Sequence, residues 1–195
     1  MNTAFASDLF RQTLTSPREA AQRIIGLGLE RDWLWTALIL MGVLNGLVYS
    51  LVLQMGPGEP SPMMPALLQS PLGFTIFLIG ALVLTVLTLT LVGRLVGGRA
   101  ELPQILALIA WMQFLRLVLQ IALVVLMLAL PLAGLILVLV ASVWGLVILV
   151  VFVDEAHGLG NVFKAAGVII LGFLGMLVGL SAILGVLGAL VMGGA

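Results

Sequence analysis

Five long apolar runs organise this chain, and a segment of mixed polar and apolar character precedes them. In that segment, residues 1–32, apolar positions recur at helical spacing in two short stretches. Phe5, Leu9, Phe10 and Leu14 mark the first. Ala20, Ala21, Ile24 and Ile25 form an apolar strip in the second, with Arg18, Glu19, Gln22 and Arg23 mostly on the other side. The second stretch carries a helix start signal: Ser16 in a capping position, Pro17 at the first helical position, and Glu19 where a capping box needs its carboxylate. The segment has no early apolar core and is interrupted by acids, so it does not read as a signal peptide. It reads as an amphipathic helix at a membrane surface, or as a lead-in packed under the apolar runs.

A helix needs about 20 mostly apolar residues to cross a bilayer. The runs supply spans at about 33–53, 72–92, 103–129, 132–153 and 162–192. The last is longer than a crossing requires, which implies tilt or a short surface turn. Trp33 and Trp35 open the first span, where amphipathic rings favour the headgroup layer. Pro103 suits the first turn of the third span. Pro131, followed by Gly134, divides the apolar stretch 105–153 into two antiparallel helices. The expected fold is all-α: a polytopic five-helix transmembrane bundle over 33–195, led by a short amphipathic segment over 1–32.

Composition turns these helices into a membrane protein. Only 8% of the residues are charged and 63% are hydrophobic, whereas a soluble domain carries roughly a quarter charged residues. Eight basic and eight acidic groups could not cover a water-soluble globule of 195 residues. Their balance also leaves no basic stripe for nucleic acid. The absence of cysteine excludes disulfides, thiolate metal sites, iron–sulfur clusters and a cysteine nucleophile.

The placement of charge sets an orientation. Arg11, Arg18, Arg23 and Arg31 precede the first span, Arg94 and Arg99 follow the second, and Lys164 follows the fourth. In a five-span chain these seven fall on one side, which the positive-inside rule makes cytoplasmic. The amino terminus is then expected inside and the carboxyl terminus outside. Arg outnumbers Lys seven to one, a composition of GC-rich bacteria, so the expected location is a bacterial inner membrane with a periplasmic carboxyl terminus. The connection 57–71 holds five of the eight prolines and reads as an extended, stiff external loop. Met55, Met63 and Met64 lie in or beside it; thioether clusters can bind Cu(I), but contact with the membrane surface is the simpler reading.

Arg116 is the remaining cation and the only charge well inside a span. A central Arg costs roughly 2.5–3.5 kcal/mol on insertion scales, so it should face the bundle or a polar cavity. Gln113 and Gln120 share its helix face. No span offers a mid-membrane carboxylate, and Asn45 is the best polar partner, with Thr85, Thr88 and Ser142 behind it. The candidate cluster is therefore Asn45, Gln113, Arg116 and Gln120. It serves either as a structural hydrogen-bond network, a dock for another subunit, or a site for substrate or lipid. Asp154, Glu155 and His157 cluster where the fourth span ends; one His without a second makes a metal site a weak reading beside a solvated helix end.

Small residues mark helix-packing faces. Gly42 and Gly46, extended by Ser50, form one stripe; Gly175 and Gly179 form another, with Ser181, Gly185 and Ala189 in a second row. Such stripes let backbones approach closely, within a bundle or between copies. Enzyme signatures are missing: there is no HExxH pair, no GxSxG elbow around Ser142 or Ser181, and no carboxylate pair within the spans. Five spans do not divide into two equal transporter repeats. No cofactor is expected.

Taken together, the stretch Leu14-Thr-Ser-Pro17-Arg-Glu-Ala-Ala, the Trp33-Leu-Trp35 opening, the proline-rich connection, four closely spaced spans and a glycine-rich last span resemble the Yip1-type membrane proteins. The resemblance implies a five-helix bundle with a cytoplasmic amino terminus. Eukaryotic relatives help organise Golgi and endoplasmic reticulum membranes and contact Rab-type GTPases, partly through a longer amino-terminal region; here about 32 residues precede the first span. The expected function is that of a non-enzymatic scaffold or accessory subunit, acting on membrane lipids and on a protein partner or second copy. The alternative is a small transporter or lipid-handling protein with a polar cavity around Arg116.

Overall fold

The computed structural model describes residues 3–55 and 66–192. Among them are eight α-helices and no strand: α1 Thr3–Thr15, α2 Pro17–Gly26, α3 Arg31–Met55, α4 Ala66–Gln69, α5 Pro71–Leu95, α6 Leu102–Ala129, α7 Pro131–His157 and α8 Val162–Met192. Five of these, α3, α5, α6, α7 and α8, are long and apolar enough to cross a membrane. The protein is thus a multi-pass helical bundle. Most of the proline-rich connection, with Met63 and Met64, lies outside the described residues.

The helix breaks obey local chemistry. Leu130 alone separates α6 from α7: its N–H bonds the Leu126 carbonyl at 2.7 Å, and Pro131 opens the next helix where no amide hydrogen is needed. Gly134 then packs so near Met127 that a Cβ would lie 2.8 Å from its sulfur. At the other end of α7, Gly158 takes φ +61°, a left-handed conformation favourable to glycine. Ser16 departs from the expected capping box. Its side chain makes no cap, and Glu19 accepts from Gln12 instead. The reason is that α1 runs directly into this position, where the Ser16 N–H already bonds the Gln12 carbonyl at 2.7 Å.

The spans form a ring in the order α3, α6, α7, α8, α5, and α5 also reaches across to α6 and α7. Close approach of α5 to both neighbours depends on glycine. A Cβ on Gly42 would lie 2.9 Å from Ile79, and one on Gly46 would overlap Thr75. On the other flank, Gly172 would meet Leu89 at 2.8 Å, Gly175 would meet Thr88 at 3.3 Å and Gly179 would meet Leu84 at 3.4 Å. Ser50 is buried and donates to the Gly46 carbonyl. Ser181 is exposed, Gly185 faces open space, and the side chain of Ala189 is outside the described residues.

The apolar core is concentrated at one end. Leu34 and Leu38, Val86 and Leu89, Ile105 and Leu106, Phe152, and Ala165 and Val168 are all buried. In each span these positions lie near the end that carries Arg31, Arg94, Arg99 and Lys164, hereafter the basic end. The α1–α2 pair belongs to this core through Leu9, Ala20, Ala21 and Ile24, with α2 packed on α7 and α6. Trp111 donates to Thr13 at 3.0 Å and Trp144 to the Leu14 carbonyl at 3.2 Å. Among the described residues, few apolar side chains of the opposite half are buried.

Candidate functional site

Two polar centres stand out. The first is at mid-span, between α3 and α6. Asn45 is 0% exposed, and its Nδ2 donates to the Met41 carbonyl at 2.7 Å and, across the seam, to the Gln113 carbonyl at 3.1 Å. The structure thus joins Asn45 to the α6 backbone rather than to the Arg116 side chain. Asn45 lies in the tight seam and reaches the main chain; Arg116 is exposed and has no hydrogen bond or ion pair among the described residues. The amide oxygens of Asn45, Gln113 and Gln120 are buried without partners there. Thr85, Thr88 and Ser142 do not join the cluster: each hydroxyl donates to the carbonyl four residues back in its own helix.

The exposure of Arg116 is not exposure to the lipid-facing side. Val125, on the outer side of α6, is 64% exposed. Nine residues, about two and a half turns, separate the two positions, so they point in opposite directions. Arg116 instead continues the line of Ile105, Ile109 and Met112 at helical intervals of four and three. Ile105 and Ile109 are core residues and Met112 packs against the core. The face that is sealed at the basic end is therefore open at Arg116. Continuing down the same stripe, Gln120, Leu123 and Met127 line a groove of about 370 Å³ with Tyr49 and Val52 of α3. Tyr49 is held by stacking on Phe74 of α5, ring centres 4.1 Å apart.

The second centre is at the basic end, and it corrects the expectation of a solvated helix terminus. Asp154 and His157 are each 1% exposed. Asp154 accepts from Arg18 at 2.7 Å and from the Asn161 N–H at 3.0 Å, so it ties α2 and the start of α8 to α7. Glu155 accepts from Arg18 at 3.2 Å and from Gln22 at 2.8 Å. The His157 ring sits between Gly93 and Gly98: a Cβ on Gly93 would overlap it, and one on Gly98 would lie 2.7 Å from the His157 Cβ. Neither ring nitrogen has a hydrogen-bond partner among the described residues. The His157 carbonyl accepts from the Arg99 N–H at 3.0 Å, which closes the α5–α6 connection onto α7. With the imidazole in its glycine cradle and Asp154 committed to α2 and α8, the two do not converge, and no group of three metal-ligating side chains forms among the described residues.

Next to this centre, Gly97, Arg99, Gln104, Glu155 and Gly158 line an open polar cavity of about 480 Å³. The sequence reading missed Gly93 and Gly98, although glycines do flank Arg94 and Arg99. Only the tertiary contact between α5 and α7 shows that those glycines make room for an imidazole.

A family model described as the Yip1 domain matches residues 11–183, which takes in the end of α1, all of α2, the first four spans and most of α8. No curated protein and no solved structure matches the chain.

Proposed function

The chain belongs to the Yip1 domain family, and from that premise we propose that it is a non-enzymatic membrane scaffold or accessory subunit that works through helix–helix and lipid contacts. The observation that carries this reading is the use of its few polar groups. Asn45 ties α3 to α6, Arg18 ties α2 to α7, Trp111 ties α6 to α1, and Arg99 ties the α5–α6 connection to α7. Polar groups committed to joining helices fit a protein whose output is a shaped surface in the bilayer. The positive-inside rule supports a cytoplasmic basic end with the carboxyl terminus outside, and the Arg-rich composition supports a bacterial inner membrane.

Crosslinking of tagged protein in its native membrane, then mild-detergent purification and mass spectrometry, tests the role. A stoichiometric partner or second copy supports it; recovery of single chains refutes it. Orientation is tested by Lys164→Cys and Ser61→Cys, which should label from opposite faces of the membrane.

A second reading, a lipid-handling protein or small transporter, is favoured by one observation: the core face of α6 is open at Arg116. Movement of labelled lipid between leaflets of a reconstituted vesicle tests it.

A further inference from the structure

The open face of α6 has the order of a lipid. Met112 packs against the core on the basic-end side. Then come a cation, Arg116, and one turn later an amide, Gln120, whose oxygen is buried and unpartnered among the described residues. Beyond Gln120 the groove is apolar, with Leu123 and Met127 from α6 and Val52 from α3. From Arg116 to Met127 the helix rises about 16 Å. The groove volume, about 370 Å³, falls within the range of roughly 300–1,000 Å³ typical of small-molecule sites.

Charge complementarity selects the occupant. The eight acidic residues, Asp8, Glu19, Glu30, Asp32, Glu59, Glu101, Asp154 and Glu155, all lie before, between or at the ends of the spans. An exposed mid-span cation, one helical turn before the groove on the same face of α6, must therefore draw its counter-charge from outside these segments. An Arg fork matches phosphate or carboxylate through two parallel hydrogen bonds. The amides of Gln113 and Gln120, turned about their last bond, offer N–H donors beside it. Polarity also fixes direction. On α6 the head-binding groups lie nearer the basic end and the apolar lining further from it, so an amphiphile there lies with its head toward the basic end and its chain away from it.

We propose that the crevice between α3 and α6 binds one anionic amphiphile, its head at mid-span on Arg116 and the glutamine amides and its chain along Leu123 and Met127. The proposal rests on the crevice that favours the lipid-handling reading, but it requires binding only, not transfer across the bilayer.

The full chain, purified in mild detergent and mixed with phosphatidylglycerol and phosphatidylcholine, is read by native mass spectrometry. The wild type is expected to retain one phosphatidylglycerol in preference to phosphatidylcholine. Arg116→Gln should reduce that preference about tenfold, the scale of one lost charge-assisted pair. Leu123→Trp, which fills the groove, should reduce binding of both lipids. Arg31→Gln, an exposed charge at the basic end, should leave the preference unchanged. The proposal is overturned if Arg116→Gln selects phosphatidylglycerol as the wild type does, if Arg31→Gln loses as much, or if inorganic phosphate displaces the lipid at equal concentration. Should Arg116→Gln fail to fold, Gln120→Leu and Leu123→Trp carry the test, and unchanged binding in both overturns it. Retained binding without leaflet-to-leaflet movement removes the transporter reading and leaves this one standing.

Discussion

Gly93→Ala should destabilise the bundle, and it should do so only while His157 is present. Gly93 is buried in α5, and an added Cβ would overlap the His157 ring. Gly98 also lies against the ring, and the Arg99 N–H holds the His157 carbonyl at 3.0 Å. Overpacking of this kind costs about 1–3 kcal/mol, and overlap with a rigid ring whose backbone is tied down belongs at the upper end. Alanine regains up to about 1 kcal/mol of helix propensity over glycine. The net expectation is a loss of about 2 kcal/mol. In a His157→Ala background the overlap disappears, so the same change should stabilise by up to about 1 kcal/mol. The sign reverses, and the coupling energy is about 3 kcal/mol. A double-mutant cycle measured by SDS-titrated unfolding in mixed micelles, with tryptophan fluorescence as the signal, reads this directly. Equal destabilisation by Gly93→Ala in both backgrounds would refute the cradle.

The same contacts support other expectations. Arg18→Ala should cost about 2 kcal/mol, below the ~3–5 kcal/mol of a fully buried pair, because Asp154 is buried but Arg18 is half exposed; an unchanged unfolding midpoint would contradict this. Asn45→Ala should cost about 0.6–1.7 kcal/mol, the range for an interhelical hydrogen bond in a membrane, as read by the same unfolding assay. Trp111→Phe removes the bond to Thr13 and should speed amide exchange across α1 while leaving the spans unaffected, as measured by hydrogen exchange with mass spectrometry. Gly46→Leu should separate α3 from α5, where Thr75 already fills the space, and lower the yield of folded protein in detergent chromatography; a normal yield would show that the seam is not tight.

The spans were legible because their signals are local. The break at Pro131, the first-turn proline Pro103 and the long apolar runs are each written within a few residues. The basic end was misread for the opposite reason. Asp154-Glu155-Ala-His157 at the end of a span looks like a polar terminus, and nothing nearby says that Arg18, 136 positions earlier, returns to cover Asp154. Gly93 and Gly98 likewise gain meaning only when α7 is beside α5. At mid-span, the polar identity of Asn45, Gln113, Arg116 and Gln120 was plain, but pairing depends on a few ångströms of seam width. Asn45 reaches a main-chain oxygen, whereas Arg116 is left facing an opening. The capping box at Ser16 failed because two helices meet there without a gap, so the position serves the end of α1 before the start of α2.

The most direct test of this account is native mass spectrometry of the protein ejected from its own membrane, wild type beside Arg116→Gln. The account predicts that the wild type carries one anionic lipid, that the variant carries it far less often, and that any protein partner remains on both. A wild type that emerges without lipid, or a variant that keeps the same lipid, would contradict it.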